Sequence, residues 1–165
     1  MEYYYTQDYP SLRVSETYAQ QLLQKLSKQY KYSEKLLKQY VRNNVYYEVH
    51  LQDGKPSAYK VFQKTIEKVT QQNSKLVEIT FTKEKLPVHA FPSSNDLHSI
   101  AYIRRIVFRK NSHIFANIDT VLEGDEVYYM CYVNVNVDSN SDIAFLQQEA
   151  KPLVTVLQHV QVSTS

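Results

Sequence analysis

The sequence predicts an α+β fold, with helices against one face of an antiparallel sheet. Three observations predict it. Residues 15–30 carry apolar side chains at helical spacing, residues 98–137 form three strand-like runs divided by short polar turns, and 165 residues suit one domain with one core.

Residues 1–14 are Tyr-rich, contain Pro10 and follow neither periodicity, so they read as an arm ahead of a single domain over 15–165. In "SETYAQQLLQKLSKQY" Tyr18, Ala19, Leu22, Leu23, Leu26 and Tyr30 recur at helical spacing behind Ser15, a suitable cap. "SEKLLKQYV" repeats the pattern with Leu36, Leu37, Tyr40 and Val41, which predicts a second helix from Ser33. "NVYYEVHL" (44–51) is β-branched and aromatic and runs into Asp53-Gly54, a turn signal, so a strand ends there. A third helix is expected from Pro56, with Ala58, Tyr59, Phe62, Ile66 and Val69 on one stripe, a short strand "AYKVF" (58–62) being the alternative. "KLVEITF" alternates as a half-buried strand does, and "LPVHAFPSSND" then breaks the sheet with two prolines.

"HSIAYIRRIVFR", "HIFANIDTVL" and "EVYYMCYVNVNV" follow with turns short enough for an antiparallel meander. "SDIAFLQQEA" is expected to form a short helix, and "PLVTVLQHVQV", rich in β-branched residues, a last strand.

Composition excludes several function classes. Gly54 and Gly124 are the only glycines, too few for a glycine-rich phosphate cradle or dinucleotide fingerprint. A net charge of +2 with basic and acidic residues interspersed gives no footprint for direct nucleic-acid binding. One cysteine, Cys131, supports neither an internal disulfide nor a zinc cluster, and a reducing compartment is expected. No basic start precedes an apolar run and no stretch of about 18 apolar residues occurs, so neither membrane nor secretion is expected.

Candidate chemistry is sparse. His50, His89, His98, His113 and His159 are dispersed, with no pair at i,i+4, so no metal and no cofactor is expected. Cys131 sits mid-strand, where a buried thiol is inert. Asp119 and His50 lie on predicted strands and could face a cavity between helices and sheet, the alternative of a small-molecule enzyme or binding protein. In "IRRIVFRK" Arg104 and Arg105 point to opposite faces; Arg105 suits a bidentate pair with a carboxylate across a subunit interface.

The stretch 126–137 raises the main question. On a strand, Val127, Tyr129, Cys131, Val133, Val135 and Val137 share one face, and Tyr128, Met130, Tyr132, Asn134 and Asn136 the other. Both faces carry large apolar side chains. At roughly 25 cal/mol per Å², covering several hundred Å² is worth on the order of 10 kcal/mol before association costs, so burial of the second face is expected.

"YAQQLLQKLSKQYKYSEKLLKQYV", "VYYEVHLQDGKPSAYKVFQKTIEKV" and "VEITFTKEKLPVHAFPSS" together resemble the helices, first strand and Pro-containing bend of the nuclear transport factor two-like superfamily. "KPSAYKVFQ", and "HAFPSS" ahead of "IVFR", are most similar to the small subunits of fungal heterodimeric mRNA export receptors. The resemblance covers roughly residues 15–137 and implies a cone-like fold, a curved antiparallel sheet wrapped around the N-terminal helices. It implies a non-catalytic heterodimer subunit in nucleus and cytoplasm and at the nuclear pore, whose sheet stabilises a larger partner of similar fold and helps form sites for nuclear-pore repeat proteins. The residues implied for that partner face are Ile103, Arg105, Val107, Phe115, Asn117, Tyr128, Met130 and Tyr132, with the complementary set as alternative because a one-residue slip reverses both faces.

Overall fold

The computed structural model describes residues 2–5, 13–42, 45–72, 75–84, 100–136, 140 and 142–160. In chain order the elements are β1 (Glu2–Tyr5), β2 (Arg13–Val14), α1 (Glu16–Ser27), β3 (Tyr32–Arg42), β4 (Val45–Gln52), β5 (Lys55–Gln72), β6 (Lys75–Glu84), β7 (Ile100–Arg109), β8 (Ile114–Glu123), β9 (Glu126–Asn136) and α2 (Ile143–Gln158).

The sheet closes on itself. Its order is β1-β6-β5-β4-β3-β7-β8-β9, every pairing is antiparallel, and β1 pairs with both β6 and β9. Two-residue β2 continues along the same edge of β9, opposite Met130 and Tyr129. Closure removes the exposed edges that an open sheet would offer for pairing. Residues 1–14 are therefore not wholly an arm, since β1 is the strand that completes the ring.

Both helices lie outside the ring. Ser15 caps α1 by accepting from the Tyr18 amide at 3.1 Å, and Asp142 caps α2 by accepting from Phe145 at 3.2 Å. α1 turns Tyr18, Ala19, Leu22 and Leu26 inward, and α2 turns Leu146, Ala150, Leu153 and Leu157. Beneath them lie Phe108 of β7, Ile114, Ala116 and Ile118 of β8, and Cys131, Val133 and Val135 of β9. The Tyr18 hydroxyl donates to the Leu157 carbonyl at 2.6 Å and ties the two helices together.

This is not a sheet wrapped around helices, and the expected transport-factor-like cone is overturned. Three predicted elements changed type. "SEKLLKQYV" is not a second helix but part of β3, hydrogen-bonded to β4 on one side and β7 on the other. A hairpin ladder to β4 and a nonlocal ladder to β7 outweigh the small helical preference of Leu, Lys and Gln. The expected third helix is β5; Pro56 sits near its start, where a missing N–H is tolerated. A register shift between Ile66 and Lys68 breaks the two-residue alternation there, so the apolar spacing imitates a helix. Residues 152–158, expected as strand, are the second half of α2, which runs through Pro152. The stripe Leu146, Ala150, Leu153, Leu157, Val160 recurs at alternating four- and three-residue spacing across that proline, and its burial offsets the hydrogen bond the ring removes.

Candidate functional site: the inward face of the barrel

Since the helices cover one face of β7, β8 and β9, the other face of these strands looks into the ring. Register sorts its residues into layers: Leu37, Ile103, Val121 and Tyr128; then Arg105, Asp119 and Met130; then Val107, Asn117 and Tyr132; then Arg109, Phe115 and Asn134. From β3 and β4 the same face receives Gln39 opposite Glu48, and Leu37 opposite His50.

The middle of this interior is charged. Arg105 grips Asp119 bidentately, Nε to Oδ1 at 2.9 Å and Nη2 to Oδ2 at 3.1 Å, with side chains only 18% and 3% exposed. The Tyr132 hydroxyl donates to Asp119 Oδ2 at 3.1 Å. Glu48 is buried; it accepts from Gln39 Nε2 at 3.0 Å and lies 3.6 Å from His50 Nε2. Burial opposes the Arg105 charge, but the Tyr132 phenol, the Asp119 carboxylate and Glu48 together raise its pKa well above the ordinary guanidinium value. Burial, with the negative Asp119 adding and Arg105 opposing, drives the Tyr132 phenol far above the usual tyrosine range.

Three amide oxygens are left over. Oδ1 of Asn117, Asn134 and Asn136 is buried with no hydrogen-bond partner, and Asn117 as a whole is 6% exposed. An orphaned buried acceptor costs about 1–3 kcal/mol, so these amides are built for a guest or ordered water. With the carboxylates of Glu48 and Asp119 they supply the hard oxygen donors that Mg²⁺, Mn²⁺ or Ca²⁺ accept. Among the described residues, however, no three His, Cys, Asp or Glu side chains gather as a ready metal cluster. Lys35 and Arg109 fall on the inward register and are exposed away from the Ile103 layer.

The residues expected to meet a partner are all on this inward face. Ile103, Asn117 and Tyr132 are buried and Val107, Phe115, Tyr128 and Met130 half-buried. Arg105, expected to pair across a subunit interface, pairs with Asp119 of its own chain. The second face of 126–137 is covered by barrel closure rather than by another protein. On the complementary face Cys131, Val133 and Val135 lie under α1 and α2, whereas Val127, Leu122 and Tyr102 are exposed. The space between helices and sheet, proposed as a ligand cavity, is occupied by apolar side chains. Asp119 and His50 do face a shared interior, on the opposite side of the sheet from the helices.

Sequence reasoning missed Glu48, Gln39, Asn134 and Asn136, and took Asn117 for a partner contact. Gln39 was hidden by the helical reading of 33–41. The alternation Tyr132, Asn134, Asn136 was the available signal, since amides repeating every second residue on a strand mark a polar face. Of the histidines, His113 Nδ1 lies 3.0 Å from the Asn136 carbonyl and His159 ends α2, while His89 and His98 lie outside the described residues. Cys131 faces the helices, and burial, reinforced by Asp119, pushes its thiol far above the reactive range.

A closed antiparallel barrel with a charged interior and helices outside has solved counterparts. The fold is that of the RNA triphosphatase barrels. The S. pombe Pct1 RNA triphosphatase superposes with a TM-score of 0.69 at 10% identity, over 98% of this chain and 86% of that one. The Mimivirus capping enzyme triphosphatase gives 0.60 at 11%, over 95% and 88%. A Pyrococcus horikoshii protein gives 0.55 at 11%, over 99% and 92%. No protein-family model matches the sequence, and no curated protein matches it. The export-receptor resemblance is thereby corrected. A non-catalytic, nuclear-pore-associated heterodimer subunit was inferred from a different fold, and the solved proteins sharing this one include triphosphatases.

Proposed function

We propose that the barrel interior binds a ligand bearing a triphosphate and supports hydrolysis of its outer phosphoanhydride, in which water adds to the terminal phosphorus and the bridging oxygen leaves with the remaining diphosphate. The observation supporting this reading is the polar inward face. A barrel built only for stability fills its interior with apolar side chains, whereas this one holds a buried Arg105–Asp119 pair, buried Glu48 and three amide oxygens without a hydrogen-bond partner. The unpartnered amide oxygens and the carboxylates would face a phosphate across a divalent cation, whereas exposed cations such as Lys35 and Arg109 suit phosphate oxygens directly. The likeness to the two triphosphatases supports the ligand class.

Calorimetric titration with inorganic tripolyphosphate and phosphate release from 5′-triphosphate RNA with Mg²⁺ or Mn²⁺ test the reading. Saturable binding, weakened by Asn117→Leu, together with cation-dependent release of phosphate is expected. Absence of both binding and release from a folded protein would overturn it.

A further inference from the structure

The helices leave part of the outer face of the barrel bare. Tyr102, Leu122 and Val127 stand side by side in register across β7, β8 and β9. The core beneath α1 and α2 reaches the next row, at Tyr129, and does not include them. They are 46%, 44% and 53% exposed, and Leu36 of β3, the register partner of Arg104 and so diagonal to Tyr102, is 50% exposed. Tyr32 and Phe145 are the other large apolar side chains exposed among the described residues, so most of the exposed apolar area is gathered on this one surface. The four residues offer on the order of 350 Å² of apolar area, a size at which a patch on a monomer is often functional.

The charges at its two ends indicate what covers it. The row begins on β3 with Lys38, opposite Tyr102, and the Lys38 Nζ lies 5.3 Å from the centroid of the Tyr102 ring. It ends at the β8–β9 turn, where Glu123, Asp125 and Glu126 are exposed. Glu126 is paired with Arg13 at 2.7 Å and Glu123 accepts from the Tyr128 hydroxyl at 2.9 Å, whereas Asp125 and Lys38 have no ion-pair partner among the described residues. From β3 to β9 the surface therefore reads cation, three apolar side chains, anion, and it is complementary to itself when turned about.

We propose that this surface is an isologous interface between two copies of the chain. A two-fold axis running with the strands between β7 and β8 sets Tyr102 of one copy over Leu122 of the other and brings each Lys38 to the opposing Val127 and the turn at Asp125. The apolar centre is smaller than the roughly 800 Å² that each side of a standard interface contributes, so polar neighbours complete it and the dimer dissociates in the micromolar range.

Sedimentation equilibrium of the full-length protein between about 1 and 500 μM tests this. A monomer–dimer equilibrium is expected, weakened at least ten-fold by Leu122→Asp, with thermal unfolding at low protein concentration unaltered because the side chain stands in solvent there. Lys38→Glu and Asp125→Lys should each weaken association, since each sets like charges together at both ends of the interface. Mixed together, the two variants should associate more tightly than either alone, because a mixed pair restores opposite charges at both contacts. A protein monomeric throughout overturns the proposal, and so does a mixture that associates no more tightly than its components.

Discussion

The two faces of β7, β8 and β9 come from the same residues in alternation and do opposite things. Outward, Phe108, Ile114, Ala116, Ile118, Cys131, Val133 and Val135 join the helices in a core without a charged group. Inward, the same strands carry Arg105, Asn117, Asp119, Tyr132, Asn134 and Asn136. The outer face holds the fold together by removing apolar area from water. The inner face spends part of that stability on polar groups whose neutral alternative would be better-packed hydrocarbon. Such an arrangement is retained where the interior meets something besides itself.

Substitutions on the two faces should therefore separate stability from binding. The largest losses are expected on the outer face from Phe108→Ala, about 3–5 kcal/mol by urea unfolding, since this side chain is fully buried. On the inner face Asp119→Ala should cost a similar 3–5 kcal/mol or so, because it strands the Arg105 guanidinium. The double change Arg105→Met with Asp119→Leu should restore most of that loss while tripolyphosphate binding is lost; a double variant as unstable as the single one would mean the pair serves packing alone.

Tyr132→Phe should cost about 1.5–3 kcal/mol through the lost donation to a buried carboxylate. It should also alter the alkaline limb of stability. A phenol whose folded pKa is raised contributes stability fully present below the unfolded value of about 10 and lost as pH climbs from there toward the folded pKa. The wild-type melting temperature should thus fall more steeply above about pH 10 than that of Tyr132→Phe; parallel curves would contradict the burial of this hydroxyl. Smallest of all, Glu34→Ala should change stability by no more than about 1 kcal/mol, because its bidentate pair with Arg104 stands in solvent at 42% and 58% exposure.

Much of the local pattern was legible. α1 announced itself through Ser15 and the Tyr18–Leu26 stripe, and the meander through alternation and two short turns. The pairing of Arg105 with a carboxylate was legible as chemistry, but not that Asp119, fourteen residues away on the adjacent strand, would supply it. β3 was illegible because its Leu, Lys and Gln suit a helix, and of β5 only the stretch 58–62 offered a strand as the alternative to a helix, because a register shift blurs the period of two. α2 was half-hidden by Pro152, although its apolar stripe continues unbroken to Val160.

The sequence by itself determined that the residues of β7, β8 and β9 sort onto two faces, each carrying large apolar side chains, because side-chain direction on a strand alternates whatever the strand pairs with. Only the tertiary structure decided which face is inside. That depends on β1 meeting β9, which are more than a hundred residues apart in the chain, and a contact set by nonlocal backbone pairing leaves no local periodicity to read.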